Sequence, residues 1–173
     1  MASFGHVAIG MACGRAYSDD PAIVKKAALA FAVISLLPDA DAVGFLVGIP
    51  YNDSLGHRGA THSILFALFV ALASYVYASR RKLPVNRTAA FVTLIALSHP
   101  VLDTMTYGGG LGCALLWPFS DERFWAPVRF IPVAPIGLAI LSDRGVQVMC
   151  TEVLMFAPFW LYAIWPRRKP IAS

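Results

Sequence analysis

The sequence predicts an all-α, polytopic membrane helical bundle of about five transmembrane or near-spanning helices. Three observations lead there. Of 173 residues, 58% are hydrophobic and 14% charged, and the mean hydropathy of +0.65 is far above that of a soluble domain. Apolar runs recur at a length near the roughly 20 residues that cross a hydrocarbon core. Basic residues gather at the ends of these runs. With no low-complexity segment, long linker or clear repeat, residues 1–173 read as a single membrane-embedded domain.

Helix one is expected over residues 2–17. The start "MASFGHVAIGMACGRAYS" lacks the basic n-region and small-residue cleavage site of a secretory signal, so its removal is not expected. In "SDDP", at 18–21, an aspartate N-cap precedes Pro21 at the first helical position, which opens helix two. Helix two runs to Pro38, where "PDAD" interrupts the apolar pattern before "AVGFLVGIP" resumes. Helix three is expected over 61–80 with Thr61 as its cap, and helix four over 88–107, stopped by "YGGG". Residues 108–144, with "LLWPF" and "RFWAPVRF", have the Gly, Pro and aromatic content of an interfacial segment. Helix five is expected over 146–166. Cys13, Cys113 and Cys150 form no CxxC pair, so they read as packing residues. Trp117, Trp125, Trp160 and Trp165 read as interfacial anchors.

In this five-helix arrangement Arg15, Lys25, Lys26, Arg80, Arg81, Lys82, Arg87, Arg167, Arg168 and Lys169 share one side, ten of the fourteen basic residues. Arg58, Arg123, Arg129 and Arg144 share the other. The positive-inside rule then puts the N-terminus outside and the C-terminus in the cytoplasm of a multi-pass inner (plasma) membrane protein.

Depth follows from a helical rise of about 1.5 Å per residue. His62 lies roughly 27 Å from Arg80, His99 roughly 18 Å from Arg87 and Asp103 roughly 24 Å. Asp39 is roughly 20 Å from Lys26, and Glu152 roughly 22 Å from Arg167. All fall in the extracytoplasmic third of the hydrocarbon core, where ionisable groups are costly and usually functional. His99 and Asp103, at i and i+4, share a helix face, with Thr106 further along it. His57 and His62 converge if His57 sits in the loop and Gly59 turns the chain into the helix. Asp39 and Asp41 project from the helix interruption, and His6 lies near the outer end of helix one. Glu152 is an additional candidate, and Arg58 and Arg129 are candidate anion contacts. "GGGLG" at 108–112 lacks the strand and the lysine-bearing helix of a nucleotide loop.

"GH" at 5–6, "LLPDAD" at 36–41, "GHRGATHS" at 56–63, "SHPVLDTMT" at 98–106 and "LLWPF" at 115–119 together resemble the inner-membrane metal-dependent hydrolases of the YdjM type over nearly the whole chain. The resemblance implies a helical membrane protein with a metal centre and hydrolytic activity. The HxxxD of helix four is also similar to a ligand pair in the zinc-dependent phospholipase C family.

A catalytic zinc needs three protein ligands and an open water position, and more candidates than that are present. The expected first ligands are His57, His62, His99 and Asp103. Asp39 or Asp41 is expected as a further ligand or the general base, with His6 a further candidate ligand. Mixed nitrogen and oxygen donors favour zinc and also suit manganese or iron. The leading expectation is a hydrolase acting on a phosphoester or lipid headgroup, with membrane lipid as its surroundings and no nucleic-acid partner. A metal-ion or proton transporter using the same residues is one alternative, and a non-catalytic scaffold stabilised by metal is another. The oligomeric state is left open.

Overall fold

The computed structural model describes residues 3–166. The predicted start of helix one at residue 2 and the basic trio Arg167, Arg168 and Lys169 lie outside the described residues. The chain is mostly helical, with a minimal pair of two-residue strands.

Helix α1 (Phe4–Tyr17) runs antiparallel to α2 (Pro21–Ser35). Two glycines one turn apart set their separation. A Cβ at Gly10 would lie 2.6 Å from the Phe31 carbonyl oxygen, and one at Gly14 would strike the backbone of Ala28. This small-xxx-small seam lets the two backbones meet. As expected, Pro21 opens α2, and Asp20 caps it by accepting from the Ala22 N–H at 2.8 Å. The helix stops at Ser35, and a 3-10 helix (Pro38–Val47) turns away at 48°.

A loop leads to a short 3-10 turn (Ala60–His62) and then to α3 (Ile64–Arg80). The cap of α3 is Ser63, whose Oγ accepts from the Phe66 N–H at 3.0 Å, and not Thr61. Thr61 donates its hydroxyl to Asp41 instead, at 2.6 Å. Helix α4 (Val85–Thr104) begins and ends about a turn earlier than expected. It is followed by strand β1 (Thr106–Tyr107), which pairs in parallel with β2 (Ile131–Pro132). The predicted fifth helix is two: α5 (Asp143–Met155), capped by Ser142, and α6 (Ala157–Ile164), set at 63° to it. Pro158 cannot donate to the helical ladder, which accounts for the break.

By length and composition one described helix, α4 with 20 residues, can cross a membrane. The total rises to three if α2 with its 3-10 extension, and α5 with α6, each count as one bent span. Helix α3 is apolar up to its last turn, which carries Arg80, but has 17 residues, about 26 Å.

Tyr17, Ala27, Phe31, Val92 and Ile95 fill the interior between α1, α2 and α4. The Tyr17 hydroxyl is 2.7 Å from that of Thr88. A second cluster joins Ala8, Ile131 and Phe156. Large apolar side chains such as Leu29, Leu72 and Leu154 face outward, while His6, Arg58, His62, His99, Asp103 and Glu152 are buried. A soluble protein places these classes the other way round. The cysteines are free; Cys113 is buried, but Cys150 is exposed and is not a packing residue.

Candidate metal centre

Helix α4 supplies His99 and Asp103 from one face, the 3-10 turn before α3 supplies His62, and the 3-10 helix after α2 supplies Asp39. One ligand atom from each lies within 4.8 Å of all the others. His62 Nε2 is 3.1 Å from His99 Nε2, 3.6 Å from Asp39 Oδ1 and 3.4 Å from Asp103 Oδ2. His99 Nε2 is 3.4 Å from Asp39 Oδ1 and 3.9 Å from Asp103 Oδ2. Donors at about 2.0–2.1 Å from a tetrahedral zinc ion lie about 3.3–3.4 Å from one another, so these separations suit one ion.

The protons are placed by the second nitrogen of each ring. His99 Nδ1 is 2.7 Å from the Ser35 carbonyl oxygen, which only accepts, so Nδ1 carries the hydrogen. That carbonyl is available because α2 ends there and leaves its last carbonyls without helical partners. His62 Nδ1 is 3.2 Å from Asp41 Oδ2 and 3.1 Å from the Thr61 hydroxyl. Both rings therefore turn an Nε2 lone pair toward two carboxylates. One added proton satisfies one such pair, whereas one divalent cation satisfies all four donors. The arrangement fits a metal, with each imidazole oriented through its outer nitrogen.

Asp41 does different work from Asp39. Its oxygens accept from His57 Nδ1 at 2.7 Å, the Arg58 N–H at 3.1 Å and the Thr61 hydroxyl, and they face His62 Nδ1. It is a hub that orients two imidazoles. His57, expected among the first ligands, lies outside the four-donor group and joins a second one, with Asp41 and His62. Its ring is edge-on to His62, with centroids 5.4 Å apart. Gly56 and Gly59 permit this tight loop, since a Cβ on either would collide with the carbonyls of Pro50 or Ser54.

Arg58, expected as an anion contact, is 1% exposed and turned inward. Its Nε is 3.2 Å from Asp103 Oδ2, and Nη1 donates to the Thr106 hydroxyl at 2.9 Å and the Leu111 carbonyl at 3.0 Å. Burial, the largest single influence, opposes its charge, but Asp103 together with Tyr51, Cys113 and Asp39 holds the guanidinium above its ordinary pKa. Its φ of 63° is left-handed, a conformation that costs a non-glycine residue about 1–2 kcal/mol. Thr106 lies in β1, not on the helix face, and its hydroxyl also donates to the Asp103 carbonyl at 2.8 Å.

His6 stacks on His99 with centroids 3.7 Å apart, and its Nε2 is 3.5 Å from Asp103 Oδ1. Among the described residues neither of its ring nitrogens has a hydrogen-bond partner. Glu152 accepts from the Gly5 N–H at 3.3 Å and so ties α5 to the start of α1. Its carboxylate is not in either converging donor group among the described residues. Arg129 is exposed, and its guanidinium lies 5.3 Å from the Trp125 ring centroid, away from the cavity lining.

A cavity of about 640 Å³ opens onto Asp39, His57 and Arg58, and is also lined by Tyr51, Gly108–Gly110 and Arg144. Arg144 donates to the Gly108 carbonyl at 3.0 Å, and Arg123 holds the His57 loop through the carbonyls of His57 and Asp53. Sequence reasoning missed Tyr51, Arg123 and Arg144 as site residues. The one available signal was that the two arginines fall on the less basic side, with the histidines.

The sequence model of the family described as YdjM inner membrane protein matches residues 1–169, and the chain belongs to that family. It is similar to "Inner membrane protein YbcI" of Escherichia coli (strain K12), with 41% identity over 143 residues, 79% of this chain and 82% of that protein. No solved structure matches.

Proposed function

We propose that this member of the YdjM inner membrane protein family is a multi-pass, metal-dependent hydrolase whose centre lies toward the extracytoplasmic face and acts on a phosphoester or lipid headgroup. The observation that carries the reading is the convergence of two imidazole nitrogens and two carboxylate oxygens within 4.8 Å, three of the four residues buried and the fourth, Asp39, reaching a cavity. Zinc suits this set best, and manganese or iron also fits nitrogen and oxygen donors. The location rests on the partition of basic residues between the two sides.

A divalent cation held by Asp39, His62, His99 and Asp103 would supply a Lewis acid and, through a coordination position beyond these four donors, would lower the pKa of water. The chain's own residues do the rest. Asp39 is the ligand that reaches the cavity, being 22% exposed where the other three are at most 1%. Asp41 keeps the His57 proton on Nδ1, which leaves Nε2 to accept a proton from water or return it to a leaving group. This gives Asp41 an orienting role and moves the general base to His57. Arg58 and Thr106 fix Asp103, and His6 packs His99 in place.

The interior between the four donors and the basic end is occupied by Tyr17, Phe31, Val92 and Ile95. An apolar fill of this kind favours hydrolysis from one face over ion transport, which requires a polar path to both faces. Metal analysis of gently purified protein, followed by assay on a chromogenic phosphoester and on lipid substrates, tests the reading. Stoichiometric metal with metal-dependent cleavage is expected. Protein without bound metal, or zinc uptake into proteoliposomes with no hydrolysis, would overturn it.

A further inference from the structure

The cavity beside the candidate metal centre has a polar floor and an apolar rim, and the rim is made by two 3-10 helices. Ala42 lines it from the helix Pro38–Val47, and Gly137 and Ile140 line it from a second 3-10 helix (Gly137–Leu141). Beyond the lining, both helices turn large apolar side chains outward. Leu46 is 86% and Leu138 88% exposed, and Val43, Val47 and Leu141 are also bare. Such side chains are stable where hydrocarbon covers them. One wall of the cavity, Val133 to Ile136, is apolar as well.

Charge completes the pattern. Asp39, Asp41 and Asp103 oppose one buried guanidinium, Arg58, so one divalent cation would balance the charge of these four side chains. Arg144, in the first turn of α5, then stands on the cavity wall with no ion pair among the described residues. A guanidinium so placed recognises phosphate or carboxylate oxygens.

We propose that the substrate is an anionic amphiphile drawn from the membrane: its head is held by Arg144 beside the metal centre and its chain leaves between the two 3-10 helices. This rests on the hydrolase reading above for the cation, and it adds the substrate's charge, its hydrophobic tail and its route of entry. Arg144 selects charge, and the apolar rim selects a lipid over a water-soluble ester of the same head.

The test uses full-length protein in phosphatidylcholine nanodiscs and dodecyl phosphate carrying a diazirine at the end of its chain. Photolabelling is expected at residues 43–47 and 136–141, competed by unlabelled dodecyl phosphate and poorly by inorganic phosphate. Arg144→Gln should lower labelling about tenfold, the loss of one charge-assisted contact, and Arg144→Lys should restore part of it, both with metal content unchanged. Labelling confined to the outer faces of α3 and α6, or equal in Arg144→Gln, overturns the proposal. Equal competition by inorganic phosphate overturns the lipid source. Metal present with labelling absent defeats the amphiphile alone, whereas metal absent defeats the reading beneath it.

Discussion

The Nε2 atoms of His62 and His99 lie 3.1 Å apart, although each ring keeps its Nδ1 for a neighbour, Asp41 in one case and the Ser35 carbonyl in the other. Two lone pairs held face to face, with two carboxylates closing the same space, are the electrostatic signature of a cation site.

Replacing His62, His99 or Asp103 by Ala should each remove most of the bound metal while the protein stays folded in detergent. Asp103→Asn should do the same, because a neutral amide is a much weaker ligand. Atomic emission on purified variants reads this directly; occupancy near wild type in all four would show that these side chains only pack helices.

Asp41 acts through the imidazoles it orients. Asp41→Asn should weaken metal binding about 10–100-fold, the range for residues that orient ligands, measured by competition with a chromophoric chelator. An unchanged affinity would remove the orienting role.

His57→Ala should retain metal yet lower hydrolysis of a chromogenic phosphoester about 10²–10⁴-fold, the usual contribution of a general acid or base. Parallel loss of metal would instead return His57 to the ligand set.

The buried contact between Arg58 and Asp103 sets up a double-mutant cycle on metal-stripped protein. Arg58→Met removes the guanidinium beside the buried Asp103 carboxylate and should cost about 3–5 kcal/mol, read as a lower thermal midpoint. Adding Asp103→Asn should recover part of that loss. Strictly additive effects would mean that the two side chains do not interact.

Sidedness follows from the basic residues. In a background without native cysteines, a cysteine at position 52 in place of Asn52 should label from outside the cell, and one replacing Asn86 only after permeabilisation. The reverse pattern would place the centre on the cytoplasmic side.

The sequence by itself determined the helical, apolar character of the chain, the helix limits at Tyr17, Pro21 and Arg80, and the small set of histidines and aspartates that gather at one end. These were legible because each is a local matter. Pro21 and Asp20 start a helix through their own backbone chemistry, "PDAD" stops one, and i,i+4 spacing puts His99 and Asp103 on one face whatever surrounds them.

What only the tertiary structure decided is which atom meets which. Arg58 reads as a surface anion contact until its left-handed φ turns it onto Asp103. Thr61 reads as a helix cap until Asp41 takes its hydroxyl and leaves capping to Ser63. His57 and Asp41 read as ligands alongside His62, His99 and Asp103, and the fold instead pairs them with each other at 2.7 Å in a second converging group that shares His62. The Gly10 and Gly14 seam matters only once α2 lies against it. Each outcome was settled by competition among partners distant in sequence, and periodicity, which reports the face a side chain takes, carries no information about the partner it finds there.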